Sequence, residues 1–276
     1  MINEGYRQGT NTLSDADVLK FFPVVPVEIT QEAHILSIAL VQKKDWIFQA
    51  TVPFLSQSTF HLSTKVPPFT LDSQGIGDVT LEANRVFSHS NDNGRNYIGL
   101  GLGLPTGSIE EKGDTPRGPG SQLPYAMQLG SGTFDIKPSA GWSVPVGHQG
   151  AAGLDFSSVV RLGTNDREYS LGHRFELDAW YSHEVTDWLR IRSEVDLIWW
   201  GEIDGQDPEV TLGIAPVAEP FNYGGFRVDV GVTAQIDIPN TRGFLELGVK
   251  NPVAQDLNGT QIGTEWIYTI GAQFRF

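Results

Sequence analysis

Between Phe226 and Ile238 an apolar residue stands at every second position, and this alternation constrains the chain more than any other feature. Phe226, Val228, Val230, Val232, Ala234, Ile236 and Ile238 share one parity; Arg227, Asp229, Gly231, Thr233, Gln235 and Asp237 share the other. Successive side chains of an extended strand point to opposite faces, so such a segment is a ribbon with one apolar and one polar surface. A helix would need apolar residues three and four apart, which would bring the charged positions onto its buried face. The same period recurs in 46–54, in 97–104, where glycines fill the second parity, and in 189–199, where Leu189, Ile191, Val195, Leu197 and Trp199 alternate with Arg190, Arg192, Glu194 and Asp196. Fainter versions occupy 28–42, 76–88, 133–146, 150–162, 171–185 and 243–254, and a last one fills 264–276. The pattern therefore predicts an all-β chain of eleven strands.

The connections sort by length. Short links fall at Lys43-Lys44-Asp45, Gly147-His148-Gln149, Thr186-Asp187 and Pro239-Asn240-Thr241-Arg242; longer polar or Gly/Pro-rich links fall near 57–75, 107–132 and 202–225. Alternating short and long links mark an up-and-down antiparallel barrel, whereas Greek-key crossings would break the alternation. No stretch approaches the about eighteen consecutive apolar residues of a spanning helix. Membrane strands escape that criterion, because only alternate residues are apolar. The chain is 39% hydrophobic with a net charge of −14 and no cysteine. The acidity argues against a nucleic-acid partner. It suits a surface that meets divalent cations bridging lipopolysaccharide, and equally a plain solubility role. The missing cysteines exclude a disulfide scaffold and a thiolate metal site.

In the last strand Trp266, Tyr268, Ile270, Ala272, Phe274 and Phe276 share one parity and the chain stops on the aromatic. This resembles the terminal strand of bacterial outer-membrane β-barrels, and the resemblance implies that Tyr268, Ile270, Phe274 and Phe276 form the signal read by the outer-membrane assembly machinery. The expected fold is a transmembrane up-and-down antiparallel β-barrel over 28–276, with 1–27 as an N-terminal loop segment. Bacterial single-chain barrels have even strand numbers, so eleven implies a twelfth. The start at Met1-Ile-Asn-Glu has no basic, then apolar, leader. Both points predict a natural protein that begins upstream of Met1, with a signal peptide and one further strand. The alternative is a poor strand near Val18–Val27, interrupted by Pro23 and Pro26.

Four phrases occur together and in order: Gly75-Ile-Gly-Asp-Val-Thr-Leu81, Gly101-Leu-Gly-Leu-Pro-Thr-Gly107, Met127-Gln-Leu-Gly-Ser-Gly-Thr133 and Gln255-Asp-Leu-Asn-Gly259. They resemble the outer-membrane family named for transport in the meta-pathway of phenol degradation, from about Glu28 to Phe276. In that family the segment like Gly5-Tyr-Arg-Gln-Gly-Thr10 follows a first strand. The resemblance implies a barrel of about twelve strands and the passage of small molecules, aromatic or hydrophobic ones among them.

If the apolar faces meet lipid, the other parity faces a lumen dense in charge. Arg174, Glu176 and Asp178 lie on one strand, and Arg190, Arg192, Glu194 and Asp196 on the next; Arg227 and Asp229, then Glu246 and Lys250, follow. Two readings stand side by side: pairs that zip a narrow interior shut, and a pore lining that sets the field felt by a solute. Catalysis is not expected. Glu176 and Asp178 are paired by strand period alone, and His173 and His183 lack a Gly-x-Ser-x-Gly context. Gly101–Gly107 has neither the Lys nor the helix of a phosphate loop, so its glycines are expected to leave room inside the barrel. No cofactor is expected. The loop Glu202-Ile-Asp-Gly-Gln-Asp-Pro-Glu209 offers Asp204, Asp207 and Glu209 as weak divalent-cation candidates, but without the EF-hand order of ligands. Trp46, Trp142, Trp180, Tyr181, Trp188, Trp199, Trp200, Trp266 and Tyr268 are expected in interfacial girdles.

The sequence is thus read as a passive outer-membrane channel in contact with lipid, lipopolysaccharide and a small-molecule solute. A closed structural or adhesive barrel that binds a surface partner through its loops is the second reading. A soluble sandwich or lipocalin-like binder is the third.

Overall fold

The computed structural model describes residues 1–42, 45–88 and 94–276. In chain order the elements are β1 Ile2–Gly9, β2 Asn11–Leu13, α1 Asp15–Val18, β3 Val24–Gln42, β4 Trp46–Ser63, β5 Phe69–Ile76, β6 Val79–Ser88, β7 Arg95–Leu104, β8 Lys112–Thr115 and β9 Gly118–Gln122. There follow β10 Phe134–Val146, β11 Gly150–Leu162, β12 Tyr169–Ser170, β13 Arg174–Thr186, β14 Leu189–Trp200, β15 Asp204–Gly205, β16 Gly225–Asp237 and β17 Gly243–Phe274. Among the described residues no helix is long and apolar enough to cross a membrane.

The neighbour order β17-β16-β14-β13-β11-β10-β7-β6-β4-β3-β1 runs round a ring, and β1 pairs back onto β17. Ten of these elements and the two arms of β17 described below, twelve antiparallel strands in all, therefore close a barrel, and closure removes most of the exposed sheet edge. β5 prolongs the β6 position along β4. β17 is two arms. Its 32 residues would extend roughly 105 Å if straight, and Asn258-Gly259 folds them back, with Gly259 at φ +57°. The first arm pairs with β16, the second with β1, and the amide of Arg275 donates to Arg242 O (3.1 Å).

All eleven segments with period-two patterning lie in this ring, the last two being the arms of β17. The alternation reads directly onto the two faces. Phe226, Val230 and Val232 are exposed on the outside, while Arg227, Asp229, Gly231 and Thr233 are buried inside. Val195, Leu197 and Trp199 point outward, while Glu194, Asp196 and Ile198 point inward.

Some expectations need correcting. The segment 1–27, read as a loop, opens with β1, which pairs with both β3 and β17. Gly5 (φ +70°) and Gly9 (φ +60°) interrupt its alternation, and its register shifts repeatedly. Such a bulged strand carries no clean period. Around Val18–Val27 there is one helical turn, α1, capped by Ser14, whose Oγ accepts from Asp17 N. β3 then begins at Val24, and Pro26 is tolerated because the β3–β4 register slips between Pro26 and Glu28. The long link expected at 57–75 is mostly strand, since β4 runs to Ser63 and β5 starts at Phe69. The tight links at 147–149, 187–188 and 239–242 share one end of the barrel. Lys43 and Lys44 of the remaining short link lie outside the described residues.

Below β1 the ring has a seam. The Met1 amino group donates to Gln31 O (2.7 Å) and Gln31 N donates to Met1 O (3.0 Å). Beyond that point 31–42 of β3 and 267–274 of β17 flank one slot. Among the described residues neither has a strand partner on that side.

Candidate functional site

The inward face of β11, β13, β14 and β16 carries a row that sequence patterning shows only in part. Asp155 pairs in register with Asp178, Asp178 with Asp196, and Asp196 with Asp229. Four carboxylates thus stand at one height on adjacent strands, where like charges would repel unless cations intervene. Inward rows on both sides supply the cations. Arg192 bonds Asp178, donates from Nε to Glu194 (3.0 Å) and lies 3.9 Å from Asp155. Lys250 reaches Asp196 at 2.6 Å and Glu194 at 3.0 Å. Arg227 donates to Asp229 (3.0 Å) and to Thr264 on the closing arm (2.7 Å). Five carboxylates share three cations, a deficit of two positive charges. Asp178 Oδ1 and Asp196 Oδ1 are buried without a hydrogen-bond partner.

All eleven charged residues expected on the inner face are inside. Besides the cluster of Asp178, Arg192, Glu194, Asp196, Arg227, Asp229 and Lys250, Arg174 pairs with Glu176 (3.0 Å), and Arg190 with Glu184 (2.5 Å). Glu246 accepts from Gln235 (3.2 Å). The cluster is tightly packed: Glu194 is 7% exposed, Asp196 2% and Asp229 1%. Nearer the tight turns the lumen opens into a cavity of about 340 Å³, lined by Trp180, Ser182, Glu184, Arg190, Arg192 and Gln235.

Trp180 departs from the girdle expectation. Its Nε1 donates to Asp155 (2.7 Å) and the Arg192 guanidinium lies 4.7 Å over its ring. Its parity on β13 is that of Glu176 and Asp178, so it must face inward. Trp200, on the parity of Asp196, is half-buried. Trp46, Trp142, Tyr181, Trp188, Trp199, Trp266 and Tyr268 are exposed on the outer surface. Tyr268, Ile270, Phe274 and Phe276 form an exposed apolar stripe on the terminal arm.

The opposite wall is built on glycine. Gly99, Gly101 and Gly103 of β7 face the Asn84–Ser139, Glu82–Lys137 and Asp135 side chains, and a Cβ at Gly99 would lie 1.9 Å from Asn84 Oδ1. The expected room inside the barrel is therefore taken up by polar side chains from the flanking strands. Lys137 donates to Thr80 (2.6 Å), and Arg161 pairs with the buried Asp135. A Cβ at Gly141 would meet the Tyr97 ring at 2.0 Å and Asp155 Oδ1 at 2.3 Å.

At the long-loop end three connections weld into a cap. Asp78 accepts from Gly107 N, Ser131 N and Ser131 Oγ at 2.7–2.9 Å, pinning both ends of the 107–132 loop. Tyr125, Tyr169, Ile203, Val210 and Ala218 form one buried cluster, with Tyr125 edge-on to Tyr169 at 4.8 Å. Burial raises both phenols, Tyr169 to about 12. The carboxylates weighed as cation ligands are used differently. Arg167 holds Asp207 through two bonds (2.5 and 2.9 Å) and Glu209 at 3.4 Å, while Asp204 is exposed on β15. Among the described residues no three such groups gather around one point.

No protein-family model and no curated protein matches this chain. Among solved structures the chain is similar to the crystal structure of the COG4313 outer membrane channel from Pseudomonas putida F1. The TM-score is 0.69 at 15% identity, over 99% of this chain and 91% of that one. At that identity the likeness is one of fold, a closed antiparallel barrel.

Proposed function

We propose that this protein is a bacterial outer-membrane channel through which small molecules pass passively, with no enzymatic step. The observation that carries this reading is the sorting of residues by the barrel wall: aliphatic and aromatic side chains outside, ion pairs inside. An apolar belt around a polar interior suits lipid, which leaves no polar group unsatisfied on the outside, and is unfavourable in water, where the belt would stand exposed. The fold shared with a known outer-membrane channel supports the same reading. So does the resemblance to the phenol meta-pathway family, which points to aromatic or hydrophobic solutes. The aromatic stripe on the terminal arm fits recognition by the assembly machinery, and the acidic surface fits cation-bridged lipopolysaccharide. The carboxylate-rich cluster makes the lumen prefer cations among charged solutes, and the 107–132 loop narrows its mouth.

Full-length protein refolded in detergent and inserted into a planar bilayer tests the proposal. Discrete conductance steps are expected, with reversal potentials favouring cations; a folded barrel that never conducts would overturn it. The near-complete burial of Glu194, Asp196 and Asp229 favours one rival. It is a closed barrel whose lumen is zipped by ion pairs and whose welded loops bind a surface partner. That barrel would be silent in the bilayer, and loop deletion would abolish its function.

A further inference from the structure

In the slot beside β1 the barrel wall leaves two long stretches of backbone bare. The segments 31–42 of β3 and 267–274 of β17 run in the same direction, toward the tight turns, since β1 pairs antiparallel with both and the second arm of β17 ends beside Arg242. Among the described residues neither edge has a strand partner there. The outward side chains along the slot register the gap. Leu36, Ile38 and Leu40 are 62–68% exposed and Ile270 is 85%, whereas Val195, Leu197 and Val230, with neighbouring strands on both sides, are 39–44% exposed. The Met1 amino group stands at the head of the slot. It shares with Gln31 the two bonds of an antiparallel ladder pair, Met1 N to Gln31 O (2.7 Å) and Gln31 N to Met1 O (3.0 Å). The pairings of Asn3 with Ile29 and of Ile2 with Thr30 lead straight into it. Among the described residues Gln31 O is the partner of that ammonium. An ammonium in a barrel wall is costly, whereas a peptide N–H in its place needs just the one bond already made.

We propose that the slot seats a further run of backbone that continues β1 on the amino-terminal side of Met1, as part of the same polypeptide. Two edges that run the same way admit between them one strand antiparallel to both, and that is the direction of β1. About seven residues cover the β17 edge and about eleven the β3 edge. Strand period fixes their chemistry. Met1 faces the lumen, its sulfur 3.9 Å from the Thr264 hydroxyl that Arg227 also meets. The first, third and fifth residues ahead of it therefore face lipid, between Tyr268 and Ile270 on one side and Leu36 and Ile38 on the other, and are apolar; those between face the lumen. Lipid offers nothing to bare N–H and C=O groups. An acyl chain in the slot would cover the apolar side chains and leave those groups bare. Direct pairing of the two edges would satisfy them, but β1 holds the edges two strand spacings, about 10 Å, apart. The extension adds no strand to the ring: it lengthens β1, whose 8 residues compare with 19 in β3. The inference rests on the outer-membrane reading for the cost of a bare edge, and on nothing in the channel reading.

The mature protein isolated from its own outer membrane is sequenced from the amino terminus, and amide exchange of 32–42 and 268–274 is followed in detergent micelles. About seven or more residues ahead of Met1 are expected, apolar at alternate places, with both edges protected as well as β16 is. A second arm compares the 276-residue chain with the same chain carrying about eleven added residues of that pattern, and with a version whose pattern is shifted by one residue. The first extension should slow exchange along both edges at least about tenfold; the shifted one should not, because a one-residue slip turns every apolar side chain to the lumen. Leu36→Cys with Ala272→Cys reports on direct pairing of the edges: the two positions stand level across the slot, and a disulfide forms only if the edges meet. A mature protein that begins at Met1, edges that exchange freely beside an extension, equal protection by both patterns, or a ready disulfide would each overturn the proposal. Conductance of the same samples is read separately, so an unfilled slot and a silent channel are told apart.

Discussion

Replacing Lys250 with Met removes the one cation shared by Glu194 and Asp196 while keeping most of the apolar stem. In the native barrel its Nζ lies 2.6 Å from Asp196 and 3.0 Å from Glu194, and those carboxylates are 2% and 7% exposed. At an effective dielectric near ~20 each contact is worth several kcal/mol in gross attraction, and desolvation of the three groups offsets most of it. Deletion does not return the desolvation of the partners. Asp196 would be left in register between Asp178 and Asp229 with no counter-ion of its own. Breaking a buried pair costs about 3–5 kcal/mol, and the lower end applies here because the Lys250 side chain is 25% exposed. Arg190→Met serves as the contrast: the Arg190 and Glu184 side chains are 47% and 50% exposed, so the expected cost stays below about 1 kcal/mol. Equilibrium urea unfolding in detergent micelles, followed by tryptophan fluorescence, reads both. Adding Asp196→Asn to Lys250→Met should restore most of the loss. If Lys250→Met is no more destabilising than Arg190→Met, the inner cluster is not held together by charge pairing, and the reasoning fails.

Asp155→Asn with Asp178→Asn removes two carboxylates from the five-to-three imbalance, so reversal potentials in a salt gradient should move towards zero. An unchanged potential would place the ion path away from this wall. Gly259 sits at φ +57° with a would-be Cβ 2.0 Å from Asn222 Oδ1. Gly259→Ala should therefore lower unfolding stability by about 1–3 kcal/mol. The Tyr169 phenol is raised by burial from 10.0 to about 12, so the folded state holds its proton more tightly than the unfolded chain does. Its contribution is complete below pH 10 and disappears between pH 10 and 12. Unfolding midpoints of the native protein should fall across that window, and Tyr169→Phe should flatten the fall.

The charged rows on β13, β14 and β16 were legible because each strand states its own two faces. Arg192, Glu194 and Asp196 share a parity whatever lies beside them. Asp155 was not legible as a member of the row, since its strand is weakly patterned and register is a property of pairs of strands. The polar filling opposite Gly99 and Gly101 was equally hidden. Those glycines read as open room, and only the neighbouring strands reveal that Asn84, Glu82, Lys137 and Ser139 occupy it. Trp180 misled for the opposite reason: a tryptophan near a strand end suits an interfacial girdle, but parity and the Asp155 carboxylate hold it inside. β1 escaped notice because two left-handed glycines erase its period. The cap cluster joins segments as far apart as Tyr125, Tyr169 and Ala218, and no local pattern links them.

By itself the sequence determined an all-β chain with an apolar outer face, a charged inner face and tight turns at one end, because side-chain direction in a strand depends only on position parity. Tertiary structure decided which carboxylate stands beside which cation, how the ring closes on β1, and how the long loops weld into a cap. Those outcomes depend on register and loop packing, which exist only once separate strands have paired.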